Sequence, residues 1–302
     1  MRVILVTQGI TPMVNAFIAS RHDVVGVVEG APRKAPPTPP DAPSKLARFV
    51  GRRRIPYFWL HRKNGPELET WVASLGPELG VIYSLSQLLS QAVIDLFPKG
   101  LINLHPSLLP AYRGPNPYFW ASLDEPESVG VTVHYIDAGE DTGDVLCQHR
   151  GPCTPGLTHD QRVRTTRVEG TRLLVKAADG IDDGTAMRVS QPETSPTRRA
   201  RRVRSERVLE LIDWGNWPID RVWRFVCGAA PWLRIPTANG ALVSLDQFRV
   251  LGYRAAPHGA ETEVRVDGYP LPFCRLRHPS GDVLLTPNLR YWRQRLRDLL
   301  GR

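Results

Sequence analysis

The feature that most limits the folds open to this chain is an alternation, repeated through its first half, of short apolar runs with stretches of helical spacing. Val3 to Thr7 is a buried-strand run. Gln8, Gly9, Ile10, Thr11 and Pro12 follow as a glycine turn and a helix start, with Thr11 as cap and Pro12 at the first helical position. Val24 to Val28 is a second run of strand length, which completes a strand–helix–strand unit and implies a parallel sheet. Further strands are expected at Ile55 to Tyr57, Gly80 to Ser84 and Leu101 to His105. Helices are expected at Gly65 to Leu75 and at Leu88 to Phe97, the second ended by Pro98, Lys99 and Gly100. Ala31 to Ser44 holds six prolines in fourteen residues and reads as a surface loop. The pattern predicts an α/β domain, doubly wound around an open, mostly parallel sheet.

Val131 to Ile136 reads as another strand, Asp137 to Asp144 as an acidic, glycine-containing loop, and Thr158 to Ala178 as a long amphipathic helix that closes this domain, placed at residues 1–190. Residues 192–207 (PETSPTRRARRVRSER) are polar and strongly basic, which marks a linker, bounded at 191–207, or a segment running over the surface. Residues 208–302 form a smaller, mainly β C-terminal domain. It has a helix at Ile219 to Val226 after Pro218, and short runs at Leu242 to Leu251, Thr262 to Val266, Cys274 to His278 and Val283 to Thr286. Asn239-Gly240, Asp267-Gly268 and Ser280-Gly281 are the expected turns between them.

Composition narrows the function classes. No stretch approaches the roughly 20 apolar residues that cross a bilayer, and the first apolar run is too short for a signal-peptide core, so a soluble, cytoplasmic protein with no membrane partner is expected. The four cysteines contain no CxxC pair, which offers neither a disulfide framework nor a thiolate zinc site. A formal net charge of +9 favours anionic partners, although arginine-rich usage also follows from a GC-rich genome.

The chemistry concentrates in LINLHPSLLPAYRGPNPYFW, residues 101–120, and GVTVHYIDAGEDTGDVL, residues 130–146. Asn103 and His105 are two apart in a strand, so both leave the same face, and Pro106 ends the ladder and puts them at its carboxyl edge. Ligands of open α/β sheets bind at that edge. An amide and an imidazole side by side there can both donate to one oxygen, as a tetrahedral acyl-transfer oxyanion requires. The loop Asp137 to Asp144 supplies a carboxylate, and a carboxylate near His105 favours the charged imidazole. Taken singly, a strand-end histidine is as readily a satisfied core residue, and the acidic loop a solvated turn. A metal set of Asp137, Glu140, Asp144 and His134 lacks regular ligand spacing, and none is expected.

NLHPSLLPAYRG followed by GVTVHYIDAGEDTGDVL closely resembles the folate-dependent formyltransferases, the family of phosphoribosylglycinamide, methionyl-tRNA and sugar N-formyltransferases. The resemblance covers residues 1–190, and extends more faintly over 208–232, where IDW, a helix and APW look like the start of the small C-terminal domain of the methionyl-tRNA and aminosugar enzymes. It implies a 10-formyltetrahydrofolate-dependent N-formyltransferase that needs no metal. By that resemblance Asn103, His105 and Asp141 match the catalytic residues. Ser107, Leu108, Leu109 and Pro110 line the reduced-folate site, Ser86, Gln87, Leu88 and Leu89 cradle the pterin through backbone groups, and Asp137, Ala138 and Gly139 form the other pterin-contacting loop. Gly9, Ile10 and Thr11 are where a substrate phosphate or sugar would lie. Tyr112, Arg113, Asn116 and the cluster Tyr118, Phe119 and Trp120 follow the folate segment and would shape the substrate pocket, with helix packing the favoured reading for Phe119 and Trp120.

The acceptor is less constrained. Methionyl-tRNA formyltransferases usually show HGSLLP, RGAAP and a first loop like GTPxFA, where this chain has HPSLLP, RGPNP and QGITPMV. These departures favour a small-molecule amine, an amino sugar carried on a nucleotide. The alternatives are a methionyl-tRNA substrate, with Arg198 to Arg207 on phosphates, a formyltetrahydrofolate hydrolase, or a basic RNA-binding protein that needs no intact triad. The C-terminal domain is open to three readings: a tRNA-docking module, an element that pairs two copies into a homodimer, or a lid. Its Trp214, Trp217, Trp223 and Trp232 read as core and interface residues.

Overall fold

The structure, a computed structural model, describes residues 1–32, 35, 42–61, 65–85, 87, 89–125, 128–205, 208–211, 214–237, 240–256, 265–268, 274–289 and 293. The chain divides into two compact units. One comprises residues 1–117, 128–151 and 164–199, the other residues 118–127, 152–163 and 200–302.

The apolar runs of the first unit become β1 (Arg2–Thr7), β2 (Asp23–Gly30), β3 (Tyr57–Leu60), β4 (Leu79–Tyr83) and β5 (Leu101–His105), joined by β6 (Ser128–Tyr135) and β7 (Val145–Pro152). They form one seven-stranded sheet in the order β3-β2-β1-β4-β5-β6-β7. β1 lies parallel to β2 and β4, β2 to β3, and β4 to β5. Such strands are covered on both faces, which is why they read as unbroken apolar runs rather than alternating ones. On one face α1 (Pro12–Ile18), α2 (Lys45–Gly51) and α6 (His159–Asp182) contribute Phe17, Leu46, Val50, Leu173 and Leu174 to a fully enclosed core with Val3, Leu5 and Val81. On the other, α3 (Gly65–Leu75) and α4 (Gln91–Ile94) bring Leu68, Val72 and Val93 against Ile4, Val6 and Ile82. Each fully buried aliphatic or aromatic side chain contributes about 1.5–3 kcal/mol.

From β1 the chain steps outward to β2 and β3, then returns to the opposite side with β4. The crevice of a doubly wound sheet opens at such a reversal, beyond the carboxyl ends of the strands. β5 ends at the same edge. β6 reverses direction and pairs antiparallel with β5, in a register that sets His134 opposite Asn103.

Several local expectations need correction. The helix expected over Leu88 to Phe97 is one turn, Gln91–Ile94, because Ser90 caps it with its hydroxyl on the Val93 amide at 3.3 Å and so fixes a late start. Thr11 is the N-cap of α1, but its side chain makes no capping bond and lies 3.5 Å from the Thr7 hydroxyl. The proline-rich stretch gives way at Ser44 to α2, whose cap is the Ser44 hydroxyl on Ala47 N at 2.9 Å.

The second unit contains the greater part of α5 (Pro117–Asp124), α7 (Ile219–Ala229) and the strands β8 (Arg234–Pro236), β9 (Leu242–Ser244), β10 (Phe248–Ala255), β11 (Arg265–Gly268), β12 (Cys274–His278) and β13 (Gly281–Pro287). A four-stranded sheet runs β10-β13-β12-β11, and β8 pairs with β9. The run at Leu242 to Leu251 is split by a single 3-10 turn at Leu245–Gln247. Asp267 and Gly268, expected as a turn, instead continue the β11–β12 ladder opposite Arg275 and Cys274. α7 buries Ile219, Val222, Phe225 and Val226, the spacing of one helical face. Phe119 of α5 is fully buried, with ring centroids 5.8 Å from Phe225 and 5.7 Å from Trp232. Trp217 meets Phe225 at 5.6 Å. Packing is thus the role the structure gives Phe119 and Trp217. No helix among the described residues is long and apolar enough to cross a membrane.

Candidate active site

Asn103 and His105 leave β5 on one side of the sheet, and the loop between β6 and β7 brings Asp141 to them. His105 Nδ1 stands 3.5 Å from Asp141 Oδ2, and its Nε2 is 3.0 Å from the Tyr112 carbonyl. Both ring nitrogens therefore face acceptors, the arrangement that suits a doubly protonated ring. The buried His134 lies against both Asn103 and Asp141. Its Nε2 lies 3.2 Å from Asn103 Nδ2 and 3.7 Å from Asp141 Oδ1, and its Nδ1 is 2.7 Å from the Tyr135 carbonyl.

The partners settle the tautomer of His134. Nδ1 donates to the Tyr135 carbonyl, so Nε2 carries the lone pair that accepts from the Asn103 amide. Burial, followed by the charge of His105, holds the His134 imidazole well below the ordinary histidine range, which keeps it neutral and accepting. Asn103 is thereby turned so that one amide hydrogen is spent on His134 and the other is left for a ligand. His134 escaped the sequence reading except as a metal candidate, although its place opposite Asn103 follows once β6 is known to be antiparallel.

This histidine gives a pH dependence with a definite sign. The unfolded chain protonates His134 near the ordinary value of about 6.5, before the folded one does, so stability present above that pH is lost as pH falls toward the depressed folded value. Urea unfolding of the wild type is expected to lose up to about 1.4 kcal/mol per pH unit more over this window than His134→Gln, whose side chain does not titrate. Parallel slopes for the two proteins would remove the assignment.

Asp141 is held in a left-handed backbone conformation, φ 55°, and its Oδ2 accepts the Gly114 amide at 2.9 Å. The loop around it is tightly wound. Asp137 accepts from the Gly139 amide at 3.1 Å and from the Thr142 hydroxyl at 2.7 Å, and a Cβ on Gly143 would fall 2.0 Å from the Tyr135 carbonyl oxygen. Glu140 is paired with Arg199. Among the described residues no group of three or more His, Cys, Asp or Glu is placed to hold a metal ion.

The segment Ser107 to Pro110 is fixed from beneath. Thr132 donates to the Ser107 carbonyl at 2.7 Å and accepts from Leu109 N at 3.0 Å, while Gln148 Nε2 donates to the Leu109 carbonyl at 2.8 Å. Leu109 is buried, and Leu108 and Pro110 are half-buried. Ala138 and Gly139 are exposed. Gln87 donates its side-chain amide to the Leu60 carbonyl at 3.0 Å, and Leu89 is half-buried against the core. Ser86 and Leu88 lie outside the described residues. Gly9, with φ 89°, and the exposed Ile10 form the turn at the end of β1.

Arg113, expected at the substrate, bonds groups of the protein itself. Its guanidinium is buried, with Nε and Nη2 on Gln191 Oε1 at 3.2 and 3.0 Å, Nη2 also on the Pro192 carbonyl at 2.8 Å, and Nη1 on the Glu193 carbonyl at 3.1 Å. With nearly every donor taken by protein acceptors, it anchors the basic segment that follows α6. Two further bonds fasten that segment: Ser195 Oγ to the Pro110 carbonyl at 2.7 Å, and Tyr112 N to Thr197 Oγ1 at 2.7 Å.

A doubly wound sheet presenting an amide, two imidazoles and a carboxylate at its carboxyl edge suits the class of acyl-group transferases. Within that class the chain belongs to the formyl transferase family, whose N-terminal domain model matches residues 6–178. It is an enzyme of that family. It is 31% identical to a methionyl-tRNA formyltransferase of Symbiobacterium thermophilum over 222 residues, 72% of this chain and 66% of the relative, so it spans just under two thirds of that protein. Among solved structures, glycinamide ribonucleotide transformylase 1 from Symbiobacterium toebii superposes with a TM-score of 0.52 at 21% identity, covering 61% of this chain and 88% of its own. The N-formyltransferase from Helicobacter canadensis, in complex with folinic acid and dTDP-3-aminofucose, superposes with a TM-score of 0.59 at 14% identity, covering 94% and 98%.

Proposed function

We propose that this chain transfers a formyl group from 10-formyltetrahydrofolate to a primary amine of a small molecule, a nucleotide-linked amino sugar. The observation that carries the reaction class is the cluster at the crevice edge in which Asp141 stands 3.5 Å from His105 and 3.7 Å from His134, and His134 stands 3.2 Å from Asn103. The neutral amine nitrogen attacks the formyl carbon, and the carbonyl oxygen becomes an oxyanion that accepts from the free amide hydrogen of Asn103 beside the imidazolium of His105, whose Nδ1 faces Asp141. Collapse breaks the bond from carbon to N10 of the folate. The proton lost by the amine passes, by way of Asp141 or a water beside it, to the departing N10. Asp141 holds the imidazolium of His105, and His134 orients Asn103. The exposed backbone at 138–139 and the half-buried Leu108 and Pro110 flank these groups and suit a flat ring with hydrogen-bonding edges.

The amino-sugar acceptor is favoured by HPSLLP and RGPNP in place of HGSLLP and RGAAP, and by a likeness to the Helicobacter canadensis enzyme that runs over nearly all of both chains. A second reading, methionyl-tRNA as acceptor, is favoured by the 31% identity to the Symbiobacterium thermophilum relative. The test is incubation with 10-formyltetrahydrofolate and a panel of nucleotide amino sugars, free amino acids and methionyl-tRNA, following tetrahydrofolate release and acceptor mass. Turnover is expected with a nucleotide amino sugar. Turnover with methionyl-tRNA alone selects the second reading, and folate release without any formylated acceptor makes the chain a hydrolase.

A further inference from the structure

The segment beyond α6 carries a group that bears directly on the site. Gln191 lies fifty residues from Asp141 and uses both ends of its amide. Oε1 accepts from Arg113 Nε at 3.2 Å and Nη2 at 3.0 Å, and Nε2 donates to the Asp141 carbonyl at 3.0 Å and the Gly143 carbonyl at 2.6 Å. These four partners permit one orientation only, because a flipped amide would set its N–H groups against a guanidinium and its oxygen against two carbonyls.

The contacts close a ring. Arg113 is followed by Gly114, whose amide donates to Asp141 Oδ2 at 2.9 Å, and Arg113 grips Gln191, which grips the Asp141 carbonyl. Asp141 is therefore held at its side chain from one arm and at its main chain from the other. It needs such holding, since a left-handed φ is unfavourable by roughly 1–2 kcal/mol for most residues and is accepted only somewhat better by aspartate. The loop must also keep the carboxylate at 3.5 Å from His105 and 3.7 Å from His134 at once.

We propose that Gln191 is a positioning residue for the transfer reaction: its amide sets the Asp141 loop at the height from which the carboxylate faces both imidazoles. The role rests on the reading of Asp141 given above. It differs from a mere tie between the 191–199 segment and the 107–114 loop, and Gln191→Glu separates the two. A glutamate still accepts from Arg113, more strongly than the amide does, but has nothing to donate to the Asp141 and Gly143 carbonyls and opposes them with a negative oxygen. Ser195→Ala is the complementary control, since it loosens the same segment at Pro110 and Thr197 while its hydroxyl makes no bond to the Asp141 loop.

Two readouts on the full chain test the role: the imidazole 15N resonances of His105 and His134, which need no substrate, and kcat with the acceptor found by the panel. Gln191→Glu is expected to move both resonances and to lower kcat about 10- to 100-fold with KM within about twofold, the scale of a small misplacement of a catalytic group. Ser195→Ala is expected to change neither. Should Gln191→Glu fail to fold, Gln191→Asn, one methylene short of the two carbonyls, carries the same expectations. Unchanged resonances and kcat in the Gln191 variant, while Asp141→Asn is inactive, overturn the role of Gln191 and leave that of Asp141 standing. A loss shared equally by Ser195→Ala also overturns it, by showing a tie and nothing more. Full activity in Asp141→Asn removes the reading of Asp141 itself, whatever the resonances do.

Discussion

Asn103→Ala is expected to lower kcat by about 100- to 1000-fold while KM for the amine stays within a few fold. Loss of one preorganised oxyanion donor costs this much because the interaction strengthens only as charge develops on the oxygen. The amide is preorganised in the literal sense. Asn103 Nδ2 stands 3.2 Å from His134 Nε2, which fixes the carboxamide plane and leaves the remaining hydrogen aimed where no protein acceptor is needed. Asn103→Asp is expected to fall at least as far, because it replaces the donor by a charge that repels Asp141 and has nothing to give His134. Neither change should unfold the protein, since Asn103 is the one residue of β5 that is not fully buried. Melting temperatures measured beside the kinetics check this. A folded Asn103→Ala protein with kcat within threefold of wild type would end the oxyanion assignment.

How far such a site is legible in sequence depends on whether its geometry is local. Asn103 and His105 are legible because strand period and a following proline fix both their face and their edge without reference to any other segment. The sheet is legible for the same reason, since strands covered on both faces need only be apolar. Without the family resemblance Asp141 is one of several acids in a loop, because what singles it out physically is a left-handed backbone and the Gly114 amide, neither of which leaves a pattern in the order of residues. His134 was hidden by direction. Its pairing opposite Asn103 exists only if β6 runs antiparallel to β5, and an alternation of strands and helices argues for the other sense. The pairing of Arg113 with Gln191 was hidden for a related reason: a basic, proline-bearing segment looks solvated, yet its carbonyls and one glutamine are what the buried guanidinium needs. Polar networks between segments far apart in the chain are set by tertiary register, and register is not written in either segment alone.

Replacing the carboxylate should be as damaging as removing the amide, and the backbone makes the experiment unusually clean. At φ 55° most residues pay a steric penalty, but asparagine is among the few that visit this region readily, so Asp141→Asn keeps the loop while deleting the charge. The Gly114 amide at 2.9 Å still finds an oxygen on the asparagine. That oxygen is also the one facing His105 Nδ1, so the new NH2 group takes the other position, toward His134 Nε2, and what the variant loses is the negative charge beside His105. The expected loss in kcat is about 100- to 10,000-fold, the upper end being the scale known when a histidine-orienting aspartate is made an asparagine in serine proteases. Asp141→Ala should lose a similar amount of rate and also melt lower, because alanine has no side-chain oxygen for Gly114 and tolerates the left-handed backbone less well by about 1 kcal/mol. Rate and stability thus separate across the pair: equal rates with unequal melting temperatures are the outcome expected of a charge acting on chemistry and a backbone acting on the loop. An asparagine variant that turns over at the wild-type rate would mean that the proton from the amine has another way out, and that His105 needs no negative partner to hold it.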